Sequence, residues 1–147
     1  MADGALALLA AAQAGLRSRF DDFQRAFEHR DEAAYTLALA DFHDWLCRWT
    51  KAEEGALLPA LRRANLQDRD PQRELTLEYV QLRELTRYLR MQIESRGSLG
   101  DLLGLIENLS RRFGAHEREN ANVYYPAVAA LLTPGERQAL EDAARGC

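Results

Sequence analysis

The chain has 147 residues, 47% of them hydrophobic and 29% charged, and a formal net charge of −4. That length suits one domain with a substantial core, 1–147, and the charge excludes a protein that works by neutralising nucleic-acid phosphates. No stretch reaches the roughly 18 consecutive apolar residues that a membrane span requires. Ala and Leu dominate the apolar set, which favours helix over strand.

The first residues, Met1-Ala-Asp-Gly-Ala-Leu, carry Asp3 in place of a basic leader and read as the opening turns of a helix. Apolar spacing predicts that helix over about 4–28, with Leu6, Leu9, Leu16, Phe20, Phe23 and Phe27 on its inner face and Gln13 as the one polar member. Asp31 fits the N-cap of a second helix over about 32–64, whose inner face reads Tyr35, Leu39, Phe42, Leu46, Trp49, Glu53, Ala56 and Ala60. Pro59 falls inside that run and predicts a kink or loosening. After the polar break 65–70, Asp70-Pro71 restarts a third helix to about 95, with Leu75, Tyr79, Leu82, Thr86, Leu89 and Ile93 inward. Gly97 suits the position past its end. Ser98 with Asp101 then opens a fourth helix to about 131, facing inward through Leu102, Ile106, Leu109, Phe113, His116, Asn120, Val123 and Ala127. Thr133-Pro134-Gly-Glu136 starts a short fifth. Short links between long amphipathic helices imply antiparallel neighbours. The expected fold is all-α: an up-down-up-down four-helix bundle with a short C-terminal helix.

An internal repeat runs through this pattern. Trp49, Glu53 and Pro59 recur as His116, Asn120 and Pro126, each 67 residues on, and Gln13 recurs as Tyr79 at 66. Residues four apart stack on one helix face, so the repeat gathers Gln13, Trp49, Glu53, Tyr79, His116 and Asn120 into a polar layer at one depth. Bundle cores build metal sites in this way, from side chains on facing helices.

In this order and spacing the chain resembles the hemerythrin-like (HHE cation-binding) family. The endings Glu53-Glu54-Gly-Ala-Leu-Leu-Pro59 and Asn122-Val-Tyr-Tyr-Pro126, the third-helix stretch Leu77-Glu-Tyr79-Val-Gln-Leu, and Leu132-Thr-Pro-Gly-Glu-Arg carry the likeness over nearly the whole length. The resemblance implies two irons, held by an inward His on the first and third helices and a His-x-x-x-Glu on the second and fourth. Carried over by position, those histidines fall on Gln13, Tyr79, Trp49 and His116, and the carboxylates on Glu53 and Asn120. Two remaining first-coordination ligands do not hold two metals, so the resemblance implies a degenerate di-iron site.

The function expected is therefore a non-enzymatic binding, regulatory or interaction module with no cofactor. The alternative is a single iron or zinc held by Glu53, His116 and Tyr79, serving O2, NO or iron sensing or storage. A further alternative is haem with His116 as axial ligand. Glu53 reads either as a surviving ligand or as a buried acid bonded to His116, Tyr79 or Gln13. Trp49 has the bulk to fill a lost metal centre. Glu54, Glu117 and Glu119 read as solvated. His43 and Cys47, four apart, form a weak candidate metal pair off the inner face. With Cys47 and Cys147 giving neither a disulfide framework nor zinc spacing, a reducing cytoplasm is expected. A protein partner or a homodimer is expected, with no nucleic acid and no membrane. No serine has a partnered base, so no nucleophilic catalysis is expected.

Overall fold

A computed structural model describes residues 2–67 and 69–145 of the chain. Cys147 lies outside the described residues. The elements are α1 (Ala2–Glu28), α2 (Glu32–Ala64), α3 (Pro71–Glu94), α4 (Leu99–Glu119), a π-helical turn (Asn120–Tyr124), α5 (Tyr125–Val128) and α6 (Pro134–Arg145). Among the described residues the structure is all-helical, without a strand. No helix there is long and apolar enough to cross a membrane.

The helix starts follow side-chain capping. Asp31 accepts from the Ala34 amide at 3.1 Å, Asp70 from Arg73 at 3.2 Å and Ser98 from Asp101 at 3.2 Å, each satisfying a donor with no partner within its helix. Thr133 and Glu136 cap each other reciprocally ahead of α6, at 3.0 and 3.1 Å. The ends use left-handed backbone, and here one expectation changes. Arg96 (φ 56°), not Gly97, takes the left-handed position after α3, and the Gly97 amide closes onto the Gln92 carbonyl at 2.8 Å. Arg30 (φ 56°) does the same after α1, with the Asp31 amide on the Ala26 carbonyl. Arg30 and Arg96 are 66 residues apart, so the repeat extends to the two turn backbones.

Side-chain contacts fix the helix directions. Phe27 meets Tyr35 and Phe20 meets Phe42 between α1 and α2. Tyr79 meets Glu53, and Arg90 meets His43, between α3 and α2. Gln81 meets Arg112, and Glu74 meets Tyr124, between α3 and the α4 side. In each pair one number rises as the other falls, so consecutive long helices run antiparallel. The core obeys the same repeat: Leu9 and Leu75, Leu16 and Leu82, Phe23 and Leu89, Phe27 and Ile93 are all buried pairs at 66, and Leu39 and Ile106, Phe42 and Leu109, Leu46 and Phe113 at 67.

Helix α2 stays helical through Pro59. Two further expectations are corrected. Leu6 is 37% exposed, and Ala5 and Ala12 take the inner face in its place. The fourth helical run does not continue regularly to 131: it widens to a π turn at Asn120–Tyr124 and ends at Val128. Pro126 has no amide to offer and crowds the carbonyl four residues back, which opens the turn before it. One extra residue in that turn advances the inner face. Tyr124, Tyr125 and Val128 are buried where Val123 and Ala127 were expected.

Candidate functional site

The polar layer lies where α2, α3 and the end of α4 meet, with α1 along one side. Trp49, Glu53, Tyr79, His116 and Asn120 are all buried, and Gln13 is half-buried. The α-helical stacking of 49 over 53 and of 116 over 120 puts each pair one turn apart. The π turn then swings Tyr125 into the layer.

Glu53 is fully buried, and its partners are two phenols. Tyr79 Oη donates to Oε2 at 3.0 Å and Tyr125 Oη donates to Oε1 at 3.3 Å. Trp49 Nε1 in turn donates to Tyr125 Oη at 3.4 Å, so the indole closes this side of the layer. Burial pushes the Glu53 carboxyl above its ordinary value, against the field of His116 and the two hydroxyl donors. Burial and the Glu53 charge likewise hold Tyr79 and Tyr125 well above the usual phenol range. Neither is set up as a phenolate.

His116 forms a second cluster. Its Nδ1 lies 2.7 Å from Glu78 Oε1 and its Nε2 lies 3.1 Å from Asn120 Nδ2. Asn120 Nδ2 also donates to Gln13 Oε1 at 3.2 Å, and Gln13 Nε2 donates to the Glu117 carbonyl at 3.1 Å, tying α1 to α4. This run of donors fits an imidazole protonated on Nδ1 and accepting on Nε2. Burial pulls the His116 pKa down, but the bond to Glu78 and the charges of Glu53 and Glu78 outweigh it, and the net direction is upward. The Tyr79 ring meets His116 edge-on at 5.8 Å, joining the two clusters.

The sequence thus brings its six residues into one layer but pairs them differently. Of its expected partners, Glu53 is bonded to Tyr79 and not to His116 or Gln13, and Tyr125 is added; His116 is bonded to Glu78 and Asn120. Glu78 and Tyr125 have no place in the sequence-derived layer. For Tyr125 the nearest signal is the Tyr124-Tyr125-Pro126 run, because proline after two bulky residues marks a disturbed turn; Glu78 has none. The acids read as solvated are ion-paired: Glu117 with Arg17, Glu119 with Arg69 and Glu54 with Arg83.

A di-iron centre does not fit these residues. Trp49 offers no ligand atom, Gln13 and Asn120 bond each other, and both carboxylate oxygens of Glu53 face hydroxyls. A single metal on Glu53, His116 and Tyr79 meets the same obstacle, since both His116 nitrogens point to other partners. Among the described residues no three His, Cys, Asp or Glu side chains are grouped to hold a metal ion. At the weaker pair, Arg90 Nη1 donates to His43 Nδ1 at 2.9 Å, and burial, then Arg90, lowers the His43 pKa. Burial raises the Cys47 thiol, which makes it a poor thiolate.

Compared with protein-family models, with curated proteins and with solved structures, the chain matches none.

Proposed function

We propose that the chain is a hemerythrin-like four-helix bundle whose metal positions have become a hydrogen-bonded layer, and that it acts as a non-enzymatic binding or regulatory module. One observation carries this reading. Each atom with which Glu53 and His116 could bind a metal already has a partner: the two Glu53 oxygens accept from Tyr79 and Tyr125, His116 Nε2 accepts from Asn120, and its Nδ1 donates to Glu78. Among the described residues Asn120 Oδ1 is buried without a hydrogen-bond partner, but a layer whose candidate ligand atoms are paired in this way is a structural element that orders four helices, not a reaction centre with ligands in waiting. The antiparallel order and the 66–67 residue repeat support the bundle topology. The bulk of Trp49, edge-on to Trp45 at 6.0 Å, supports loss of the cavity in which a metal centre would sit.

Metal analysis and an ultraviolet–visible spectrum of protein purified without chelator test the reading. The expected result is metal far below one per chain and no absorption beyond the aromatic bands. Stoichiometric iron with oxo-bridge bands, a tightly held zinc, or a Soret band would each overturn it, and would respectively favour a di-iron centre, a reduced metal site or haem.

A further inference from the structure

Outside the layer, a groove of about 360 Å³ runs between α3 and the α4 side. At one end the guanidinium of Arg69 is seated against Glu74, Glu119 and Tyr124. Its Nη2 reaches Glu74 Oε2 at 3.1 Å, Tyr124 Oη at 3.2 Å and Glu119, and its central carbon lies 5.3 Å from the Tyr124 ring centre. Tyr124 Oη donates to Glu74 at 2.7 Å, which holds the seat together. Two carboxylates, a phenol and an aromatic face are the chemistry that recognises a guanidinium.

Arg69 does not belong to either wall. It stands on the connection between α2 and α3, and its ion pairs with Glu74 and Glu119 are about one-third exposed, so they hold it weakly. The groove continues past it, over Glu78 and the small Ala115, to Arg112 at the far end. Among the described residues Arg112 donates to amide oxygens, Asn108 at 3.2 Å and Gln81 at 3.1 Å, and forms no ion pair with a carboxylate. The groove thus offers a cation seat at one end and an unbalanced cation at the other.

The repeat sharpens the point. On the α1–α2 side, where α6 packs, the residues one repeat before Glu74, Glu78, Glu119 and Tyr124 are Leu8, Ala12, Ala52 and Leu57. Those four are apolar and buried or half-buried. Their counterparts line an open, charged groove.

We propose that the α3–α4 groove binds an alkylguanidinium that carries a carboxylate, with Arg69 as the chain's own displaceable occupant of the cation seat. Glu74 and Gln81 stand seven residues apart on α3, a rise of about 10 Å. That rise is on the scale of one extended side chain with a hydrogen bond of about 3 Å at either end. An extended arginine spans that distance. Free arginine and a peptide ending in arginine share this chemistry.

The test is a titration with L-arginine, agmatine and a short peptide ending in arginine, followed by amide shifts of Ala115 and Tyr124 in ¹H–¹⁵N spectra. Thermal melts confirm that each variant is folded. Arg69→Ala removes a tethered competitor and should bind L-arginine about tenfold more tightly than the native chain. Agmatine, which lacks the carboxylate, should bind Arg69→Ala about tenfold more weakly than L-arginine, a difference that one charged hydrogen bond supplies. Adding Glu119→Gln should abolish the shifts. Tighter binding of the peptide than of free arginine would assign the ligand to a chain terminus, and the reverse to a small molecule. The proposal is overturned if L-arginine leaves Ala115 and Tyr124 unmoved in Arg69→Ala. Equal affinity for agmatine, or unchanged binding after Glu119→Gln, overturns it as well.

Discussion

Replacing Glu53 by glutamine tests the buried layer through its dependence on pH. The amide is nearly isosteric, so no cavity forms, and its oxygen can still accept from Tyr79. What disappears is a proton-binding site with no exposure to solvent. Burial raises the folded-state pKa of Glu53 above its ordinary value of 4.5, so the folded chain holds this proton where the unfolded chain has released it. The stability linked to that proton is complete below the unfolded value and is lost as pH climbs through the folded one. One proton sets an upper limit of about 1.4 kcal/mol per pH unit on the slope.

Near the acid end Glu53→Gln should cost about 1 kcal/mol, because the Tyr125 hydroxyl loses its carboxyl acceptor. As pH rises toward neutrality the wild-type chain loses stability that the variant keeps, so the cost shrinks and then reverses. Urea denaturation of both proteins across the acid-to-neutral range measures it. Subtracting the two curves removes the exposed carboxylates Glu84 and Asp142, whose pKa values are lowered and whose contributions have the opposite sign. A difference that stays constant with pH, or a cost that grows with pH, would refute the argument.

Tyr79→Phe removes the shorter of the two donors to Glu53 while keeping the ring against His116. It should cost about 1.5–3 kcal/mol if the carboxylate is charged, read as a shift of the urea midpoint at neutral pH, and nearer 1 kcal/mol in acid. Phe113→Ala should cost about 3–5 kcal/mol, since the ring is fully buried between Phe20 at 5.6 Å and Phe42 at 5.4 Å, and thermal unfolding at constant pH reads it. His116 carries a raised pKa, so its contribution is present below the ordinary 6.5 and fades as pH rises through the folded value. Imidazole ¹⁵N shifts should place its titration above 6.5 in the wild-type chain and closer to that value in Glu53→Gln, where one of the three raising charges, those of Glu53, Glu78 and Glu117, is gone.

Periodicity and capping carried most of the secondary structure, because both are local. Asp31, Asp70, Ser98 and Thr133 cap with atoms three residues away, and a 3.6-residue period names an inner face without reference to its partner. The repeat likewise brought Gln13, Trp49, Glu53, Tyr79, His116 and Asn120 to one depth, since equal helices in equal order place equal offsets side by side. What the layer does with those groups was not legible. Whether Glu53 meets an imidazole or a phenol depends on rotations of about one residue in a helix from another part of the chain. The π turn before Pro126 supplies such a rotation: it carries Tyr125 onto Glu53 and leaves Val123 and Ala127 half-buried against the edge of the core. The period continued through 131 in sequence, and only the folded backbone shows that the turn widens at Asn120–Tyr124. Glu78 reached His116, and Arg69 reached Glu119, across distances of 38 and 50 residues that no local pattern encodes. Composition, period and repeat determined an all-helical chain with a polar layer; tertiary packing alone decided which donor faces which acceptor, because hydrogen-bond pairing is fixed within about 3 Å and a helix turns its side chains by far more than that with each added residue.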